Sequence, residues 1–233
     1  MITEKYPYQE LKKKNIDGSR RYLTPDGGKL PSVTTILSAT ASEEKKASLE
    51  NWRKRVGYAK AQEITTEAAG RGTRMHKWLE DYILTDDKGS PGSNPYSQQS
   101  HIMAQTIINE GLVNCNEYWG TEVSLWYPEI YAGTTDLVGV HSGDEAIMDH
   151  KQTNKPKKRE WIDDYFLQGA AYAEAHNEIY GTDIKTIVIM MIGWDEEADN
   201  MGNYQEFVVE SDEYERYARL WAGKVQAYFD KYM

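Results

Sequence analysis

The order of secondary-structure signals constrains this chain more tightly than any single residue does. Near residue 117 its character changes from helical to β-rich. EYWGTEVSLWYP and EIYAGTTDLVGV (117–140) carry strand-type alternation, and HSGDE supplies a turn before AIMDHKQT. Three consecutive antiparallel strands is the economical reading. A helix over about 161–178 follows, then the apolar strand IKTIVIMMIGW, a turn DEEADNMGN and a strand QEFVVE. Ser211 is expected to cap a last helix, on which Tyr217, Trp221, Val225 and Phe229 share one face.

Before the strands, periodicity predicts helices over about 43–64, 66–84 and 96–111. Leu49, Trp52 and Val56 mark the first, and Gly70 and Gly72 predict a break at the start of the second. Residues 18–37 read as short β-prone runs around a turn at Pro25–Gly28, and TDDKGSPGSNP (85–95) reads as a loop. The sum is an α/β fold: a mixed central sheet flanked by helices, preceded by a helical N-terminal region. The expected division is a single domain over 1–233. Its hairpin and helical region covers 1–112 and its α/β core 113–233.

Composition narrows the function classes. The 233 residues are 39% apolar and 27% charged, as expected of a folded chain with a proper core. Aromatic content is dominated by 17 Tyr and 7 Trp against 3 Phe, rings suited to half-wet clefts as well as to core rims. Cys115, the single cysteine, excludes a disulfide framework and a four-cysteine iron–sulfur cluster. No apolar run approaches the roughly 20 residues of a membrane span. The N-terminus lacks the apolar core of a signal peptide, so a cytoplasmic location is expected. A net charge of −10 rules out a whole-surface grip on a polyanion. Positive charge is concentrated locally, at Lys155, Lys157, Lys158 and Arg159, and more weakly in RKRVGYAK (53–60).

Within 133–153, Asp136, Asp149 and Lys151 occupy strand positions that would ordinarily be apolar. Asp149 and Lys151 point to one face because side chains alternate along a strand. Pairing with the preceding strand would bring the Asp136 carboxylate beside Asp149. Two neighbouring carboxylates repel unless a cation lies between them, and hard oxygen ligands suit Mg²⁺ or Mn²⁺. A lysine beside them could orient an attacking water. An exposed Asp149–Lys151 ion pair with Asp136 ending a strand is the structural alternative. His76 could join the carboxylates as a ligand, with Glu80 one turn on, and the His150 carbonyl could add an oxygen. Glu122 is close enough in sequence to share the cluster. Gln168 and Tyr172, spaced i, i+4, could contact a phosphate; alternatively Tyr172 packs on the sheet with Gln168 in water.

In this order, GTRMH (72–76), Glu122, GTTD (133–136), DHK (149–151) and QGAAY (168–172) resemble the RecB-type branch of the PD-(D/E)XK nuclease superfamily. LPSVTTIL (30–37) and LENWRKRVG (49–57) extend the resemblance to the mitochondrial genome maintenance exonuclease family and its phage relatives. What the resemblance implies is a Mg²⁺- or Mn²⁺-dependent DNA exonuclease, in the host cytoplasm if phage-encoded, with single strands or free DNA ends as substrate. His76, Asp136 and Asp149, with the His150 carbonyl, would hold metal. Lys151 would orient the water, and Glu122 would be a ligand or a supporting carboxylate. Gln168 and Tyr172 would contact the substrate backbone, and Ser32, Thr34 or Thr35 a phosphate; apart from the resemblance, the basic loop with Lys155 and Lys157 would attract substrate locally. Replication or recombination proteins are candidate partners. Thr135 precedes Asp136 where the superfamily name has proline, and the cysteine cluster of some relatives is missing, so no iron–sulfur cluster is expected. A structure-selective endonuclease and a non-catalytic DNA-binding accessory protein are the alternatives.

Overall fold

In a computed structural model, residues 1–16, 18–195 and 200–232 are described. A three-stranded antiparallel sheet comes first, β1 (Lys12–Ile16), β2 (Ser19–Leu23) and β3 (Lys29–Pro31). Four helices follow: α1 (Val33–Ala39), α2 (Glu43–Val56), α3 (Tyr58–Thr85) and α4 (Pro95–Glu110). The main sheet comprises β4 (Cys115–Tyr127), β5 (Tyr131–His141), β6 (Asp144–Thr153), β7 (Thr186–Asp195) and β8 (Asn200–Val209), in that spatial order. Helix α5 (Asp163–Tyr180) crosses from β6 to β7, which pair in parallel; every other neighbouring pair is antiparallel. Helix α6 (Ser211–Tyr232) closes the chain.

The expected mixed sheet flanked by helices is what forms, and its two faces carry separate cores. On one face Val138, Ile147, Ile187 and Ile189 pack with Phe166 and Ala170 of α5 and Tyr217 and Trp221 of α6. On the other, Leu137, Met148, Val188 and Met190 pack with Met75, Leu79 and Ile83 of α3 and Met103 and Ile107 of α4. Alternation along β5, β6 and β7 sends consecutive side chains into opposite cores. Among the described residues, no helix is long and apolar enough to cross a membrane.

Several boundaries differ from the sequence reading. The helix break falls at Gly57 rather than at Gly70 and Gly72. Gly57 has φ 87°, a conformation that excludes side chains sterically, whereas Gly70 and Gly72 sit inside the continuous α3. The helix expected over 43–64 is therefore two helices, α2 and the start of α3. Its apolar stripe is only partly covered: α2 has no fully buried residue, Trp52 and Val56 are half-buried, and Leu49 is 46% exposed. Residues 33–37, read as β-prone, are helical, because the Ser32 hydroxyl caps α1 by accepting from the Thr35 N–H. Strand β1 begins ahead of the expected hairpin, where a run of lysines hides the alternation. Ser211, expected as a cap, is itself the first residue of α6, with φ 53°. Of the turn expected over 195–203, residues 196–199 lie outside the described residues.

Candidate active site

The site lies where β5 and β6 part. Their ladder runs from His141↔Asp144 to Leu137↔Met148 and stops there, so Asp136 and Asp149 face each other just beyond the last pair. The freed N–H of His150 is taken up by a side chain: it donates to Asp136 Oδ2 at 2.7 Å. A buried backbone donor is thereby satisfied without a strand partner. On the other side of β5, Thr121 pairs with Leu137 and Val123 with Thr135, which puts Glu122 across from Asp136. Glu122 has φ 50°, a strained setting for a non-glycine residue and one that accumulates at functional sites. Three acids on three neighbouring strands thus form one row.

Helix α3 brings His76 to this row. Its Nε2 lies 2.9 Å from the His150 carbonyl oxygen, which can only accept, so the Nε2–H donates. Nδ1 then faces the acids, 3.4 Å from Asp136 Oδ1 and 4.0 Å from Glu122 Oε1. A bare lone pair aimed at two carboxylates would be repelled, so the geometry calls for a proton or a metal ion at Nδ1. Burial opposes charge on His76, but the Asp136 carboxylate outweighs it and raises the imidazole to about 9. Asp136 responds in kind. Burial raises it, yet His76 and Lys151 hold it well below the usual carboxylate range. Burial, with repulsion from Asp136, lifts Glu122.

One ligand atom from each of His76, Glu122 and Asp136 lies within 4.8 Å of the others, the group among the described residues able to hold a metal ion. One ring nitrogen and two carboxylate oxygens fit a small divalent cation. Asp149 meets a different partner, since its Oδ2 contacts Lys151 Nζ on the α5 face of the sheet. Burial foremost, reinforced by Asp136 and opposed by Lys151, raises Asp149. Lys151 keeps its proton: burial lowers it, but Asp149 and Asp136 raise it more. Its ammonium sits 5.0 Å from the centre of the Tyr165 ring on α5. His150 is 2% exposed, and burial pushes its imidazole down to about 4.

The other expected site residues are distributed more widely. Tyr172 is 3% exposed and belongs to the α5 core, where Gln168 Nε2 donates to its hydroxyl at 2.9 Å. Its ring lies so near β5 that a Cβ on Gly133 would come within 2.4 Å of it, which fixes glycine there. Ser32 is the α1 cap, its hydroxyl also bonded to Thr34 and Thr35. Thr34 and Lys155 are exposed, while the Lys157 backbone is tied both ways to the Gln205 amide. Glu80 joins His76 and Glu122 in lining a cleft of about 380 Å³.

Sequence reasoning missed Arg71. It is fully buried, its Nε donating to Gln152 Oε1 at 3.0 Å and its guanidinium also reaching Asn154. Those contacts fasten α3 to the end of β6, five residues before His76. The available signal was a spacing: Arg71 stands at i−4 from Met75, on the stripe that continues through Leu79 and Ile83. A cation on a buried stripe needs partners.

No protein-family model and no curated protein matches this sequence. Solved structures resemble the fold at low identity. A protein from Eubacterium rectale, provisionally named an exonuclease, aligns with TM-score 0.48 and 13% identity, over 71% of this chain and 65% of that one. The chain thus spans 65% of that protein's length. A phage-related exonuclease from Haemophilus somnus aligns with TM-score 0.37 and 12% identity, over 67% and 79%. An alkaline exonuclease from Laribacter hongkongensis, in complex with dAMP, aligns with TM-score 0.30 and 18% identity, over 70% and 89%.

Proposed function

We propose that the chain is a Mg²⁺- or Mn²⁺-dependent deoxyribonuclease of the RecB-like type, acting as an exonuclease on single strands or free DNA ends. The observation that carries this reading is the meeting of His76 Nδ1, Glu122 and Asp136 within 4.8 Å, one strand away from a buried Asp149–Lys151 pair. A bound divalent ion supplies a Lewis acid for a phosphoryl oxygen and makes water more acidic. His76, Asp136 and Glu122 would hold it, with Asp149 on the adjoining strand as a further candidate ligand once its contact with Lys151 loosens.

The chain's own groups do the rest. The His150 carbonyl fixes the His76 tautomer, keeping Nδ1 directed at the acids. The His150 N–H pins one oxygen of Asp136 and leaves the other free to face His76. Lys151 remains cationic, so its role is to orient a water or neutralise charge on the phosphoryl group rather than to remove a proton. Asp149 holds that ammonium in place. Tyr165 covers Lys151 and limits access of bulk water from the α5 side.

The test compares linear and circular single-stranded DNA with Mn²⁺ present. Linear substrate should be degraded to nucleotides and short products, circular substrate should persist, and EDTA should abolish cutting. Lys151→Ala should slow cutting about a hundredfold or more. Cutting of the circle would make the chain an endonuclease, and DNA binding without cutting under any divalent ion would make it an accessory protein.

A further inference from the structure

Six cations, Lys12, Lys13, Lys14, Arg20, Arg21 and Lys29, fall within residues 12–29 of a chain whose net charge is −10. All of them stand on the small sheet β1–β2–β3, and its register sorts them by face. Lys14 pairs with Arg21, Lys12 with Leu23 and Leu23 with Lys29. Opposed residues share a face and neighbours along a strand alternate. Lys12, Lys14, Arg21 and Lys29 therefore occupy the outer face together. The inner face carries Tyr22 and Leu30, buried against Leu11 and Ala132.

The outer face is cationic without compensation. Lys12, Lys14 and Lys29 are exposed and Arg21 is half-buried. Among the described residues no ion pair engages any of the four, whereas Lys45, Lys77 and Arg159 all have carboxylate partners. Lys14 directly opposite Arg21 is a like-charge pair, which costs stability in a sheet. An anion lying across the strands would relieve that cost. The sheet also adjoins the site. It does so through its inner face: the Tyr22 hydroxyl is 3.1 Å from Thr134 Oγ1, two residues before Asp136. Lys13, opposite Tyr22 in the register, lines with Glu122 one cleft of about 820 Å³ beside the edge strand β1.

We propose that the outer face of β1–β3 is a phosphodiester-backbone platform that holds a nucleic-acid strand by its phosphates, the strand crossing the free edge of β1 at Lys13 so that its end lies at the Glu122 cleft. This rests on the nuclease reading and deepens it, because it moves the main electrostatic contact away from the 155–159 loop. In that loop Arg159 is neutralised by Glu213, and Lys158 lies over the Trp161 ring. Cations projecting from strand backbones meet phosphates rather than base edges, so binding is indifferent to sequence.

The experiment measures binding of an oligothymidylate of about 20 nucleotides, longer than a typical single-strand site, by fluorescence anisotropy in EDTA across a salt series. The variant Lys12→Gln, Lys14→Gln, Arg21→Gln, Lys29→Gln should lower the slope of log K against log salt by about 3, near 0.7 per phosphate contact. Its affinity should fall at least tenfold at about 100 mM salt. Lys155→Gln, Lys157→Gln, Lys158→Gln should change the slope less. A wild-type slope in the four-site variant would overturn the platform, as would a larger loss in the loop variant. Wild-type binding to phosphatidylserine vesicles but not to the oligonucleotide would overturn it as well. Because binding is read without turnover, a chain that shows the expected slope yet never cuts with Mn²⁺ would fail as a nuclease and keep the platform.

Discussion

Ala146–Met148 of β6 have a strand on each side, β5 and β7, whereas Asp149–Thr153 keep only β7. In the doubly paired half the side chains are apolar and fully buried. In the singly paired half Asp149 and His150 are 2% exposed and yet polar, and side chains take over contacts that a neighbouring strand would make. Lys151 meets Asp149, Asp136 meets the His150 N–H, and Arg71 meets Gln152. Loss of one neighbouring strand leaves backbone groups and space that side chains must fill. A sheet can thus build a polar pocket in its interior by ending one ladder a few residues before the next.

The largest expected contrast comes from one substitution in each half. Asp136→Asn or Asp149→Asn should lower DNA cutting about a thousandfold or more, with circular dichroism unchanged. Met148→Ala, next to Asp149, should instead cost about 2–5 kcal/mol in urea unfolding, with the rate per folded molecule preserved. Full activity in the aspartate variants would erase the distinction. A smaller effect is expected one layer out. Arg71→Lys, which loses the planar fork, should weaken Mn²⁺ binding by about 10- to 100-fold in calorimetry, through a looser α3 and a displaced His76. Unchanged affinity would mean that β6 holds α3 without that contact.

Acidity sharpens the comparison further. Burial pushes both His150 and His176 down to about 4, below the value near 6.5 of an unfolded histidine. As pH falls, the unfolded chain takes up protons first. Their contribution is complete above about pH 6.5 and is lost as pH drops toward 4. His76, raised to about 9, runs the other way: its contribution is complete below about 6.5 and is lost as pH rises through 9. Asp149, raised to about 6, takes up a proton in the folded state over the same range and offsets part of the loss from His150 and His176. The urea midpoint should therefore decline modestly from pH 7 to pH 5. Native-state titration of His150 and His176 at about 6.5 by NMR would place them in contact with water. The smallest effect concerns Cys115, whose thiol burial lifts to about 12. Iodoacetamide at pH 8 should label it slowly in the native protein and quickly in urea.

Much of the fold was legible because periodicity reports directly on local structure. The strand runs over 117–153 and the stripe Tyr217–Trp221 carry their own partners' geometry, and they form as read. What sequence could not reveal was conformation at single positions and contact between distant ones. Gly57, Gly70 and Gly72 look alike on paper, and only the packing of α3 decides which takes positive φ. The stripe Leu49–Trp52–Val56 signals a helix but not how little of it is covered, with Trp52 and Val56 half-buried and Leu49 exposed. At the site, the residue types were readable as a polar group, while their partners depend on register. Glu122 comes opposite Asp136, and Lys151 contacts Asp149, because of where the ladders stop.

Helix α2, none of whose side chains is fully buried, has an evolutionary consequence. A segment outside both cores is under weaker steric selection, so its length and charge can drift with little harm to the scaffold. Divergent versions of this chain should differ most there, while Gly133 and Tyr172 change only together. An aligned set that varies at the glycine and keeps the ring would contradict that expectation.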